Sequence, residues 1–203
     1  MLTRAKSKIE KHLQGLAQVL KVHPNVLTII SISLSLPAPL LAYILPSKLA
    51  ALTCLVIFSI ASLMDMLDGI VARYWKLESK LGAFLDSVCD RYVDFLALLS
   101  LLLLVRSFCV IILVFLTIVG SFMTSYSRAR AESLGVSLAG VGLFERGERI
   151  LAILTLFLVL CLTPLSLWNM LTIVWLSVLA LLTNLTALHR ILYVVRRLRR
   201  SPS

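Results

Sequence analysis

The sequence predicts an all-α membrane protein: six transmembrane helices preceded by an N-terminal amphipathic helix lying in the interface. Three observations predict it. Of 203 residues, 60% are hydrophobic and the mean hydropathy is +0.98, which no soluble domain sustains. Six apolar stretches, at roughly 25–45, 50–72, 83–105, 108–130, 148–168 and 170–190, are each about long enough to cross hydrocarbon. The cations are sorted between their ends. Eighteen of the 20 Lys and Arg residues fall before the first stretch, at the second–third and fourth–fifth junctions, or at the C-terminal end. Only Lys48 and Arg106 lie on the other side. This asymmetry places both termini in the cytoplasm of a multi-pass protein of the cell membrane. The net charge of +10 is thereby explained by anionic headgroups and phosphate-bearing substrates, with no nucleic acid required. The whole chain, 1–203, reads as a single domain: interfacial helix 1–22, six-helix bundle 25–193 and basic tail 194–203.

In chain order, residues 3–20 put Ile9, Leu13, Leu16 and Leu20 on one side and Lys6, Lys8 and Lys11 around the other. That is the pattern of a helix lying in the interface. The segment also lacks the compact apolar region of a cleaved leader. Pro24 starts the first span, with Asn25 and Thr28 in its first turns, and Pro37 and Pro39 interrupt it midway. The second span carries Asp65, Asp68 and Arg73 in its last turns, followed by Tyr74 and Trp75 at the level of an aromatic belt. Spans three and four are nearly unbroken Leu, Ile, Val and Phe beyond the acidic start of the third. The fourth ends in SYSRARAES, then a Gly-punctuated loop and LFERGER. The fifth and sixth spans join through LTPLSLWNM, which has no Lys or Arg, as an outer loop should. Four cysteines, scattered through apolar segments, have neither metal nor disulfide spacing.

The chemistry is concentrated between residues 65 and 90. Asp65, Asp68, Gly69, Ala72 and Arg73 fall at i, i+3, i+4, i+7 and i+8, one face of a helix. Gly82, Asp86 and Asp90, at i, i+4 and i+8, share a second face. A carboxylate in hydrocarbon costs several kcal/mol unless paired, solvated or bound to a cation. Four of them converging with no equal number of nearby cations call for divalent metal, two ions of Mg²⁺ or Mn²⁺ given the all-carboxylate donors. The small residues between the acids leave room for a ligand. A membrane ion transporter would also hold buried acids, but spread along a path and not gathered at one depth.

This spacing, D-x2-D-G-x2-A-R-x8-G-x3-D-x3-D, resembles the signature of the CDP-alcohol phosphatidyltransferases, with all eight fixed positions present. The resemblance implies transfer of the phospholipid moiety of a CDP-linked lipid, CDP-archaeol or CDP-diacylglycerol, to an acceptor hydroxyl with release of CMP. It implies Asp65, Asp68, Asp86 and Asp90 as metal ligands, with Asp90 nearest the acceptor and taking its proton. Gly69, Ala72, Arg73 and Gly82 would face the nucleotide and diphosphate. So would Asn25 and Thr28, because P-N-x-x-T resembles a stretch bordering the family's nucleotide pocket. S-Y-x-R-A-R-A-E and G-L-x-E-R-x-E-R resemble the branch whose acceptor is an inositol phosphate. Ser127, Arg130 and Arg190 are then the expected acceptor-binding residues, and their two positive charges favour a phosphorylated polyol. Glycerol 3-phosphate remains an alternative to inositol phosphate. A homodimer is implied as well.

Overall fold

A computed structural model describes residue 15 and residues 22–200 of the chain. The expected interfacial helix lies outside the described residues. Those described form seven helices in six rods. Helices α1 (Pro24–Ser35) and α2 (Ala38–Ile44) make one rod broken at Leu36–Pro37. There the ring of Pro37 and the missing amide of Pro39 stop the hydrogen-bond ladder. Then come α3 (Ser47–Tyr74), α4 (Lys80–Val105), α5 (Phe108–Ser133), α6 (Arg146–Leu162) and α7 (Leu165–Arg200).

Four of these segments are long and apolar enough to cross a membrane: Pro24–Ile44, Ser47–Tyr74, Phe108–Ser133 and Leu165–Arg199. The other two fall short for identifiable reasons. Helix α4 spends its first half on Asp86, Asp90, Arg91 and Asp94, and α6 has 17 residues, about 26 Å at ~1.5 Å each. The six-helix count of the sequence holds, but two edges move. The outer loop expected over 162–170 contracts to Thr163–Pro164, because Pro164 supplies a helix start at once. The basic stretch after residue 193 continues α7 as far as Arg200.

The packing is that of a protein in lipid. Large apolar side chains such as Phe108, Phe115, Leu162 and Val174 face outward. Inside, Phe58 stacks on Phe157 at 5.9 Å, joining α3 to α6. Polar contacts and small residues set the closest approaches, as expected where lipid competes with any apolar contact. Asn184 on α7 donates to the carbonyl of Leu116 on α5 (3.0 Å), and Thr124 Oγ1 donates to the carbonyl of Thr183 (3.2 Å). A Cβ on Gly120 would lie 2.5 Å from Thr183 Oγ1 and 2.9 Å from the Asn184 backbone nitrogen, so the two helices touch through this glycine. At the opposite end from the acidic cluster, Lys48 donates to the last carbonyls of α6, those of Leu160, Cys161 and Thr163. Arg106 likewise donates to Tyr43 O (2.7 Å) and stands 4.2 Å over that ring. The two cations that break the charge asymmetry therefore tie helix ends together.

Candidate active site

Three helices deliver the acids and their neighbours to one place. Helix α4 begins at Ser79, whose hydroxyl accepts from Gly82 N (3.0 Å), and this cap fixes the phase of everything after it. Asp86, Asp90 and Asp94 then recur every fourth residue along one face. Helix α3 presents Asp65 and Asp68 opposite. One carboxylate oxygen from each of Asp65, Asp68 and Asp86 lies within 4.8 Å of the others. From α1, Thr28 Oγ1 donates to Asp68 Oδ2 at 2.5 Å, and Asp68 is buried. Asn25 meets the start of α4: a Cβ on Gly82 would sit 2.9 Å from Asn25 Oδ1. Arg73 folds back over Gly69, where an added Cβ would lie 3.4 Å from Nη1. The face read from the sequence is thus assembled, with Asn25 and Thr28 on it and Ala72 half-buried on the same side of α3.

Asp90 stands apart from the three-acid group. Its Oδ1 is 2.8 Å from Arg146 Nη2, while Nη1 of the same guanidinium donates to Asp65 Oδ2 at 2.7 Å. One turn deeper, Asp94 is buried against Arg149, with Nη2 at 2.5 Å and Nε at 3.1 Å from Oδ2. The matching cations that the sequence reading found missing are therefore partly supplied, from the first turn of α6. That turn is held in place by a capping box between Glu145 and Glu148.

The supply is incomplete. Five carboxylates (Asp65, Asp68, Asp86, Asp90, Asp94) gather here, and the arginines of α6 contact Asp65, Asp90 and Asp94 but not Asp68 or Asp86. Asp90 Oδ1 and Asp94 Oδ1 are also buried without an aligned hydrogen bond. Three converging carboxylates, hard oxygen donors throughout, fit a hard divalent cation of the Mg²⁺ or Mn²⁺ kind.

Beside the acids opens a cavity of about 420 Å³. Asp86, Asp90 and Arg91 line it from α4, and Arg128, Arg146, Arg149 and Arg190 line it from α5, α6 and α7, interleaved with Glu132 and Glu145. Arg190 is buried, held by Val141 O (2.7 Å) and Thr124 O (2.8 Å), with Glu145 3.7 Å away. Gly142, at φ 149°, makes this possible: a Cβ there would lie 3.0 Å from Arg190 Nη2.

Two expected acceptor residues are placed elsewhere. Arg130 is exposed, with Nη1 3.4 Å from Ser133 Oγ, and Ser127 donates to Thr124 O (3.1 Å); neither lines the cavity. Two residues on a helix turn the side chain by about 200°, so Arg128 and Ser125 line the cavity in place of Arg130 and Ser127. The signal was in the sequence. Gly120, Thr124 and Arg128 repeat every fourth residue, and Gly120 marks the face against α7. Asp94, Arg146 and Arg149 were missed too. Asp94 continues the Asp86–Asp90 ladder by one step, and the two arginines lie in the stretch already noted as G-L-x-E-R-x-E-R.

A helical membrane bundle with a buried carboxylate cluster, walled by arginines on one side, defines a protein that brings a divalent cation and anionic substrates together. Residues 21–183 match the family model described as CDP-alcohol phosphatidyltransferase, and the chain belongs to that family. Among its relatives is an archaetidylinositol phosphate synthase of Pyrococcus horikoshii, 38% identical over 75% of this chain and 80% of that one. Another is a phosphatidylinositol phosphate synthase of Mycobacterium tuberculosis, 36% identical over 65% of this chain and 61% of the relative. A crystal structure of the Mycobacterium tuberculosis phosphatidylinositol phosphate synthase with CDP-DAG bound matches at TM-score 0.72 and 29% identity. The match covers 91% of this chain and 92% of that one. A second structure of that enzyme, in complex with manganese and citrate, matches at TM-score 0.73 and 30% identity, covering 91% and 87%. This protein is a divalent-metal-dependent transferase of phospholipid biosynthesis.

Proposed function

We propose that the enzyme transfers the phospholipid moiety of a CDP-linked lipid to inositol phosphate and releases CMP. The observation that carries this reading is a cavity in which Asp86 and Asp90 lie beside Arg128, Arg146, Arg149 and Arg190. A neutral polyol needs no arginine wall. A phosphate does, since guanidinium forks match its paired oxygens. The names of the relatives, archaetidylinositol phosphate and phosphatidylinositol phosphate synthases, support the same acceptor.

Asp65, Asp68 and Asp86 hold the metal, with Asp90 at the edge of the set, and two ions of Mg²⁺ or Mn²⁺ are the complement proposed. Bound there, the cations neutralise the diphosphate and stabilise the departing phosphate. The remaining work belongs to the chain. Asn25, Thr28, Gly69, Ala72 and Gly82 border the nucleotide, and Arg73 faces the diphosphate. Arg190 and its neighbours on the arginine wall hold the acceptor phosphate and aim the hydroxyl at the lipid-side phosphorus. The hydroxyl oxygen forms a bond to that phosphorus. The bond from phosphorus to the bridging oxygen breaks, and CMP leaves with its electron pair. Asp90, between Asp86 and Arg146, receives the hydroxyl proton and places the nucleophile. The proposal includes six crossings with both termini cytoplasmic, supported by the charge asymmetry, and a homodimer, supported by the family resemblance alone.

CMP release tests the reading. CDP-archaeol and CDP-diacylglycerol would be assayed against inositol phosphate, glycerol 3-phosphate and free inositol, with Mg²⁺, Mn²⁺ or chelator. Release is expected with inositol phosphate and abolished by chelation. Preference for free inositol would overturn the phosphate-binding role of the arginines.

A further inference from the structure

Arg146 belongs to two groupings at once. Its Nη1 donates to Asp65 Oδ2 (2.7 Å) and its Nη2 lies 2.8 Å from Asp90 Oδ1, while Nε stands 3.9 Å from Asp94 Oδ1. The same side chain lines the cavity beside Arg149 and Arg190. Asp65, however, is also one of the three acids whose oxygens converge within 4.8 Å. A divalent cation held by that group draws on the charge Arg146 now uses. The guanidinium then loses one of its two close partners, and an anion in the adjoining cavity becomes its natural replacement.

The helix that carries Arg146 is built so that only the side chain need move. Three residues on, Arg149 is 2% exposed and locked to Asp94 at 2.5 Å. Glu145 and Glu148 cap the same turn. Gly147 follows Arg146, and a Cβ there would meet nothing within 4 Å, so the turn is open on that side. The planar fork suits the position, because it can bridge two carboxylates where a lysine would reach one.

We propose that Arg146 is an internal counter-cation and switch: it neutralises Asp65 and Asp90 until metal loads, and is thereby released to bind the acceptor's phosphate. Metal and phosphorylated acceptor then bind cooperatively, each raising the other's affinity by the same factor. The inference rests on the proposed acceptor, but its first consequence, competition between Arg146 and the metal, does not.

Mn²⁺ binding to purified protein in lipid nanodiscs, read by electron paramagnetic resonance or calorimetry without CDP-lipid, is the test. Arg146→Gln is expected to bind Mn²⁺ about tenfold tighter than wild type, the scale of one lost charge-assisted contact. Arg128→Gln, which removes a cavity charge paired with Glu132 and not with Asp65, Asp86 or Asp90, measures the general field and is expected to change affinity far less. Arg146→Lys keeps the charge on a single-point donor and should fall between; it also carries the test if Arg146→Gln does not fold. Saturating inositol phosphate should tighten Mn²⁺ binding in wild type but not in Arg146→Gln, with inorganic phosphate as a second probe. Equal or weaker Mn²⁺ binding in Arg146→Gln, or ligand-induced tightening that survives the substitution, would overturn the switch. Wild type that fails to bind Mn²⁺ would overturn the carboxylate site and the switch together, whereas normal wild-type binding with an unchanged variant overturns the switch alone.

Discussion

At the scale of single residues, the site divides by what each carboxylate touches. Asp68 is buried and takes a 2.5 Å hydrogen bond from Thr28, which orients it toward Asp65 and Asp86. Asp90 is turned instead toward Arg146. This division predicts different failures. Asp65→Asn, Asp68→Asn and Asp86→Asn should each abolish Mg²⁺-dependent turnover and metal binding while the protein stays monodisperse in detergent. Asp90→Asn should lose turnover but keep more CDP-lipid affinity than Asp65→Asn, because it stands on the acceptor side. Activity and CDP-lipid binding measured on all four variants check this. Equal loss of lipid binding in Asp90→Asn and Asp65→Asn would make Asp90 a full metal ligand. These four acids were legible in the sequence, because apolar surroundings make every carboxylate conspicuous. Arg146 and Arg149 were visible only as surface charge, because the partners that give them meaning, Asp90 and Asp94, stand more than fifty residues earlier.

At the scale of elements, helix phase decides which residues of α5 serve the cavity, and the contact with α7 decides the phase. Gly120 sits where any Cβ would lie 2.9 Å from the backbone of Asn184, so no side-chain motion relieves the clash. Gly120→Ala should therefore push α5 from α7 and destabilise the fold by about 1–3 kcal/mol, the usual cost of overpacking. Gly147→Ala, with open space around its Cβ, should be near neutral. Thermal unfolding of the two variants in detergent separates them; an unshifted Gly120→Ala would show that the contact is loose. The same contact explains Arg130. The apolar run of α5 has no strong sidedness, so the sequence left its rotation open, and two arginines two residues apart were exchangeable until Gly120 and Thr124 fixed the face. Of the helix starts, Pro24 was legible by the chemistry of its first turn, whereas Ser79 and Pro164 begin their helices earlier than the apolar runs suggest. The extent of α7 beyond residue 193 was less so, since a basic tail reads equally as a lipid-surface anchor.

At the scale of the molecule, the bundle gathers Asp65, Asp68 and Asp86 into one cluster, with Asp90 and Asp94 continuing along α4. Asp65 lies eight residues before Arg73, about 12 Å of helix rise from it. The cations of the opposite end, Lys48 and Arg106, are consumed in tying helix ends. Among the described residues, acids on α3 and α4 and arginines on α5, α6 and α7 meet at one mouth. On the proposed function, this mouth binds a phosphorylated acceptor beside the metal site. Initial rates against inositol phosphate and against CDP-lipid, for wild type and Arg190→Ala, test it most directly, with Arg130→Ala as the off-face comparison and Arg190→Lys as the conservative one. Arg190→Ala is expected to raise the acceptor KM by roughly ten- to a hundredfold, the loss of a charge-assisted contact of about 1.5–3 kcal/mol. The CDP-lipid KM should hardly move, Arg190→Lys should recover part of the loss, and Arg130→Ala should resemble wild type. An unchanged acceptor KM in Arg190→Ala, or an equal loss in Arg130→Ala, would contradict the account.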